Sequence, residues 1–213
     1  KIMMHNTEIS IVIPCLNEAG VVNDLLDQLI AQKLDVYEII AVDNSSNDAT
    51  LEILKQHKPE GVVVVGGVPR GVSRARNAGA KKARGKWLLF LDADNQIPKN
   101  FMLEILKVAK GNDVDIAAVA YKAKTKNLGF KFLTWCGQKY QRLSSKYGKV
   151  PIVPGAFTLV KKSLHDSVGG YDESMTHSED FDYSRRIHKI GARYVAIKKP
   201  FVYFSTRRLE GGG

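Results

Sequence analysis

The 213 residues suffice for one α/β domain with a sizeable core but not for two, and an apolar share of 44% excludes a disordered or fibrous chain. Lys and Arg outnumber Asp and Glu by 32 to 22, and the net charge of +10 points to anionic partners: nucleic acid, an anionic lipid surface or phosphorylated substrates. Cys15 and Cys136 have no metal-ligating spacing, which suits a reducing cytoplasm, and apolar runs such as Trp87–Leu91 fall far below the roughly 20 residues of a spanning helix.

Strand and helix signals alternate along the chain. Residues 8–14 (EISIVIP) form a β-branched run stopped by Pro14, and residues 19–32 carry Val21, Val22, Leu25, Leu26, Leu29 and Ile30 at helical spacing. Residues 37–42 predict a strand, 48–57 a helix opened by an Asp cap, 62–65 a strand and 72–83 a helix. A strand over 86–91 follows, then a helix from Pro98 to Lys110 and a strand over 115–120. Repeated βα units of this kind predict a mostly parallel, Rossmann-like sheet flanked by helices. Ligands of such sheets bind at the carboxyl ends of the strands. Each of those ends is polar here: Asn17-Glu18, then Asp43-Asn44-Ser45-Ser46, then Asp92-Ala93-Asp94-Asn95.

Asp92 and Asp94 bracket a small Ala93, and in extended geometry residues two apart point the same way, roughly 6–7 Å from one another. Such a pair can share Mg²⁺ or Mn²⁺ whose remaining positions are filled by diphosphate oxygens and water. An equally simple account has Asp94 capping the next helix and Asp92 ending a solvated strand.

The neighbouring motifs separate these accounts. Residues 9–14 with Asn17-Glu18, residues 42–50 (VDNSSNDAT), residues 71–79 (GVSRARNAG) and residues 83–94 (ARGKWLLFLDAD) occur in this order. Pro154-Gly155-Ala156-Phe157, Gly169-Gly170-Tyr171-Asp172-Glu173 and residues 179–186 (EDFDYSRR) follow. Together they resemble the inverting, nucleotide-sugar-dependent family 2 glycosyltransferases across roughly residues 9–197. The resemblance implies a single GT-A domain over 1–213, with a donor-binding half to about residue 97 and an acceptor and catalytic half beyond it. It implies that Asp43 hydrogen-bonds the nucleotide base and that Pro14, Asn17 and Glu18 line the base and ribose pocket. Asp92 and Ala93 would face the donor, and Asp94, with Asp92, would hold the metal. Asn44 and Ser45 depart from the commoner Asp-Gly, and Asn95 replaces a frequent third Asp. A QxxRW motif of polymerising synthases is not seen.

Sugar–phosphate cleavage needs charge relief on the diphosphate and a base for the acceptor hydroxyl. Glu179-Asp180 opens a predicted helix, and the resemblance makes Asp180 the base, with Glu179 the second candidate. The alternative is that both merely complement the helix dipole. Asp182 and Arg186 stand four apart, as a structural ion pair would. Arg70, Arg74 and Arg76 precede or open the 72–83 helix, where guanidinium groups suit phosphates, and Arg76-Asn77 is expected to support the donor site. Residues 205–208 (STRR) are read either as closing over the diphosphate or as a basic tail, and His177 as a solvated loop residue beside the base.

Residues 116–165 hold ten Lys or Arg and no Asp or Glu. Within them Leu128, Phe132, Trp135, Cys136, Tyr140, Leu143 and Tyr147 recur at steps of three and four, with Lys131, Gln138, Arg142 and Lys149 off the stripe. The segment 122–149 reads either as an amphipathic helix resting on an anionic membrane surface or as a helix with a core-facing stripe. The expectation is an enzyme using a UDP- or GDP-linked donor, cytoplasmic or peripheral on the cytoplasmic membrane face, with a lipid-phosphate or membrane-associated glycan precursor as acceptor. A nucleic-acid-binding module would leave the acidic strand ends unexplained, and a sugar-phosphate nucleotidyltransferase would need a Gly-rich loop where residues 14–20 read PCLNEAG.

Overall fold

The computed structural model describes residues 7–111, 113–147 and 153–206. Its strands are β1 (Ile9–Cys15), β2 (Tyr37–Asp43), β3 (Val63–Val65), β4 (Trp87–Leu91), β5 (Ile116–Lys124), β6 (Phe157–Lys161) and β7 (Tyr194–Ser205). They form one sheet in the order β3-β2-β1-β4-β6-β5-β7. Only β6 runs antiparallel, between β4 and β5. The helices are α1 (Val22–Ile30), α2 (Thr50–Gln56), α3 (Val72–Lys82), α4 (Phe101–Ala109), α5 (Leu128–Tyr147), α6 (Lys162–Ser167) and α7 (Glu179–Lys189). Both halves assigned from the sequence thus contribute strands to a single sheet.

The central strands are apolar on both faces because both faces are covered. Side chains alternate with a period of two, so Ile9, Ile11, Ile13, Leu89 and Leu91 enter one core while Val12, Leu88 and Phe90 enter the other. The first core receives α1 and α4, and the second receives α3 and α7. On the second face α3 lies close to the sheet because Gly79 has no side chain, and a Cβ there would run into Val12. At the amino ends of the strands, far from the polar loops, Glu38 accepts hydrogen bonds from Ser10 (2.6 Å) and from the Arg84 backbone and Nε. Gly85 donates to Ser10 Oγ at 2.8 Å, so the Ala83-Arg84-Gly85 part of the sequence pattern fastens the fold and stays away from the site.

Several boundaries move inward from the sequence expectation. Helix α2 begins at Thr50 and not at Asp48; Asp48 still holds its first turn by accepting from the Thr50 amide at 3.0 Å. Pro98 sits in a turn whose carbonyl accepts from Phe101, the first residue of α4. The sequence reading did not foresee β6 or β7.

Helix α5 forms over 128–147, with its faces opposite to the core-facing alternative. Gln141 and Ser144 are buried, at 4% and 3% exposure, whereas Leu128, Phe132, Leu133, Trp135, Tyr140, Leu143 and Tyr147 are exposed. The helix packs on β5 and β7 through its small and polar side. Gln138 Nε2 donates to the Tyr121 carbonyl at 2.6 Å, and Ser145 Oγ donates to the Tyr194 carbonyl at 3.2 Å. Gly137 leaves room for the Tyr121 hydroxyl, which a Cβ would approach to 2.7 Å. Lys149 lies outside the described residues.

Candidate active site

The loops after β1, β2 and β4 border one cleft at the carboxyl edge of the sheet, and the first two are stitched together. The Asn17 amide donates to Ser46 Oγ (3.1 Å), Asn17 Oδ1 accepts from the Asn47 amide (2.9 Å), and the Glu18 amide donates to Thr50 Oγ1 (2.8 Å). Asn17 and Ser45 adopt left-handed backbones, φ 55° and 61°, and so does Ser178 (59°) just before α7. Non-glycine residues are uncommon there, and such strain concentrates at functional sites.

Between the loops opens a cleft of about 380 Å³, a size that suits small-molecule ligands. Of the residues selected from sequence, Pro14, Glu18, Asp92, Ala93 and Asp94 line it. Asp43 lies beneath, buried at the end of β2, with one carboxylate oxygen 3.4 Å from the Ser46 amide. Asn17 acts as the stitch between loops. Arg70 is exposed beside the cleft and does not line it. Negative charge is concentrated here: burial, and then Asp43 and Asp92, push the Cys15 thiol well above its ordinary pKa.

Two assignments change role. Arg76 faces carboxylates rather than a phosphate opening. It is buried, donates to Glu179 Oε1 at 3.0 Å and reaches Asp92 Oδ1 at 3.4 Å. Burial opposes its charge, but Tyr171, Asp92 and Glu179 outweigh that and hold its pKa above the ordinary value. The guanidinium lies over the Tyr171 ring, 5.2 Å from the centroid, and against Gly155, where a Cβ would collide with it. Asn77 is likewise buried and turned from the cleft. It accepts from the Tyr171 amide (2.9 Å) and donates to the Tyr171 carbonyl (2.8 Å) and to Glu173 (3.0 Å), which anchors the Gly-Gly-Tyr-Asp-Glu turn on α3.

That turn leads to α7. Glu179 is held by Arg76, and the neighbouring Asp180 is half-buried, with its carboxyl pKa raised by burial and then by Glu179. Asp180 does not line the 380 Å³ cleft; it is its neighbour Glu179 that is tied through Arg76 to the cleft residue Asp92. Asp182 and Arg186 pair at 2.7 Å, and Arg186 also donates to the carbonyls of Val168 and Gly170, so this pair is structural. His177 is exposed and bonded to Thr176.

Four residues outside the donor, metal and base assignments also contribute, and of these Ser205 belongs to the 205–208 segment read either as closing over the diphosphate or as a basic tail. Asn44 is buried and braces the loop before α3: its Nδ2 donates to the Pro69 carbonyl (2.6 Å) and its Oδ1 accepts from the Gly71 amide (2.9 Å). An Asp could not donate to Pro69, which accounts for the departure from Asp at this position. Asn95 lines the cleft with a buried Oδ1 that lacks a hydrogen-bond partner. Phe204 and Ser205 arrive from the end of β7; Arg207 and Arg208 lie outside the described residues.

Among the described residues no three His, Cys, Asp or Glu side chains cluster as a ready-made metal cage. Asp92 and Asp94 are nonetheless hard oxygen donors lining the cleft, carried not on an extended strand as expected but on a turn closed by the Asn95 amide donating to the Asp92 carbonyl (3.1 Å), and the orphaned Asn95 oxygen lies next to them in the chain. Such an open set fits Mg²⁺ or Mn²⁺, which commonly keep one or two protein carboxylates and take the rest from substrate phosphates.

Comparison with known proteins agrees with this architecture. A poly-beta-1,6-N-acetyl-D-glucosamine synthase of Staphylococcus aureus is 28% identical over 200 residues, covering 87% of this chain and 47% of that protein. The chain thus spans about half of that relative's length. Among solved structures, Staphylococcus aureus TarS 1–349 in complex with UDP-GlcNAc superposes with a TM-score of 0.78 at 19% identity, over 93% of this chain and 58% of that one. The mannosyltransferase PcManGT of Pyrobaculum calidifontis, in complex with GDP-Man and Mn²⁺, gives 0.76 at 21% identity, over 94% and 57%. The fold is therefore that of the GT-A glycosyltransferases. The profile of glycosyl transferase family 2 matches residues 10–169, three-quarters of the chain, and the chain belongs to that family.

Proposed function

We propose that this chain transfers a sugar from a UDP- or GDP-linked donor to an acceptor hydroxyl, with inversion at the anomeric carbon. The observation that carries the reading is the cleft lined by Asp92 and Asp94, joined through Arg76 to the Glu179-Asp180 start of α7. The nucleotide half of the donor sits against Pro14, Asn17, Glu18 and Asp43. Asp94 and Asp92 would hold Mg²⁺ or Mn²⁺, a reading supported by the GDP-Man and Mn²⁺ complex of PcManGT, and the ion would there supply charge relief to a departing diphosphate. The acceptor oxygen attacks the anomeric carbon, the bond from that carbon to the diphosphate oxygen breaks, and Asp180 takes the acceptor proton. A carboxylate with a raised pKa is better matched to this task than an ordinary one. Asn77 and Arg76 fix the turn and the helix that carry Asp180.

The activities of similar proteins, the poly-beta-1,6-N-acetyl-D-glucosamine synthase and a poly(ribitol-phosphate) beta-glucosyltransferase of Bacillus spizizenii, support a glycan or polyol-phosphate polymer as the class of acceptor, and we extend this to a membrane-associated or lipid-phosphate precursor met at the cytoplasmic face of a membrane. Thermal unfolding against UDP-, GDP- and TDP-linked sugars, with and without Mn²⁺, tests the donor reading. Stabilisation by one nucleotide class only when metal is present is expected; no response to any donor would overturn it.

A further inference from the structure

Helix α5 is turned inside out. An amphipathic surface helix buries its apolar stripe and exposes the polar one, yet here Gln141 and Ser144 are buried while Leu128 is 78% and Trp135 54% exposed. The polar side is fully employed: Gln138 and Ser145 bond the backbones of the strands beneath. The apolar face is therefore not a packing error relieved by rotation, since turning the helix would break those bonds and drive Trp135 into the sheet.

The charge beside this face decides what covers it. Lys131, Lys139, Arg142 and Lys146 lie along one edge of the stripe, and residues 116–165 contain no acid to neutralise them. Lys139 Nζ lies 4.8 Å from the Trp135 ring centroid and Lys146 Nζ 5.3 Å from that of Tyr147. These cations thus lean along the aromatic rings, the arrangement long basic side chains adopt at a boundary between apolar matter and water. A second copy of this chain is a poor occupant, because each protomer carries +10 and the same cations would face one another.

We propose that the exposed face of α5 docks on the surface of an anionic phospholipid membrane, with Phe132, Trp135 and Leu143 entering the acyl boundary and the Lys and Arg edge on the headgroups. The position is also apt. Strand β5 runs from beneath α5 to Lys124, which lines a recess shared with Asp94 and Ser205 next to the cleft. On the glycosyltransferase reading, docking this face sets the cleft mouth beside the headgroups, where a lipid-linked acceptor would stand. The docking itself does not depend on that reading.

The chain contains two tryptophans, and Trp87 is buried at 4% exposure, so Trp135 reports on the face. The protein is mixed with vesicles of phosphatidylcholine alone or with phosphatidylglycerol added, with brominated acyl chains as quencher. Expected are sedimentation with the anionic vesicles only, partial quenching of tryptophan emission assigned to Trp135, and loss of binding at high salt. Lys139→Ala should weaken binding about fivefold, and Phe132→Ser should abolish quenching, both with unchanged thermal unfolding and unchanged donor-induced stabilisation. Equal binding to neutral vesicles, binding without quenching, or a salt-resistant dimer that does not bind vesicles would each overturn the proposal. Failure of donor binding with vesicle binding intact would count against the enzymatic reading alone.

Discussion

Arg76 Nη1 donates to Glu179 Oε1 at 3.0 Å across 103 residues of sequence, and through this contact a buried cation ties the donor-side strand end to helix α7. A buried ion pair owes its place to geometry, and removing one partner strands the other. Arg76→Met should therefore lower the unfolding free energy by about 3 kcal/mol, and Arg76→Lys should recover little because an ammonium cannot span two carboxylates as a fork does. Denaturant unfolding of Arg76→Met, Glu179→Gln and the double variant checks this: the double should lose less than the sum of the singles.

Gly155 should resist enlargement for the same reason. A methyl group at that position collides with the Arg76 guanidinium, which is already pinned by Glu179, Asp92 and Tyr171. Gly155→Ala is expected to reduce transfer and stability together, and Gly155→Ala combined with Arg76→Met to be no worse than Arg76→Met alone.

Asp180→Asn should leave donor-induced thermal stabilisation intact and lower kcat by about 10²–10⁴-fold. The pH dependence has a fixed sign. A base works ionised, and burial with Glu179 alongside raises the pKa of Asp180, so activity should fail on acidification at a pH above the ordinary carboxylate range. A pH–rate profile with its acid limb at or below that range would remove Asp180 from the role. Asp94→Ala, by contrast, should abolish the metal-dependent stabilisation by the nucleotide sugar.

Away from the site, His165 offers a stability test. It packs among Phe90, Tyr171 and Tyr183, its Nδ1 lies 2.8 Å from the Tyr183 hydroxyl, and burial lowers its pKa from 6.5 to about 4. A depressed pKa means that the neutral ring stabilises the fold fully above pH 6.5, and that this contribution is lost as pH falls through the range from 6.5 to about 4. The total is on the order of 3 kcal/mol. Urea unfolding at neutral pH and near pH 4 should show a drop in the wild type that is much reduced in His165→Asn.

Asn44→Asp would install the residue commoner at that position in the resembled pattern, yet here it should destabilise. The Pro69 carbonyl would lose its donor and face a carboxylate, a cost of about 1–3 kcal/mol. Donor affinity should fall with it, because the same side chain fixes Gly71 at the cleft.

The sequence by itself determined the alternation of strands and helices, the polar residues at the strand ends and the helix over 128–147. These follow from local periodicity and from turn chemistry, which a stretch of ten residues already carries. It also singled out Asp92 and Asp94, which both line the cleft, but not through the expected extended geometry: residues 92–95 form a turn beyond β4, closed by the Asn95 amide donating to the Asp92 carbonyl at 3.1 Å. Tertiary structure alone decided that Arg76 and Asn77 turn inward to carboxylates and backbone, since their partners Asp92, Glu179 and Tyr171 lie 16 to 103 residues away. It decided that β6 inserts antiparallel and that β7 brings Phe204 and Ser205 to the cleft. It also decided which way α5 faces. Periodicity shows that a helix has an apolar side, but only the hydrogen bonds of Gln138 and Ser145 to neighbouring strands fix which side meets the protein.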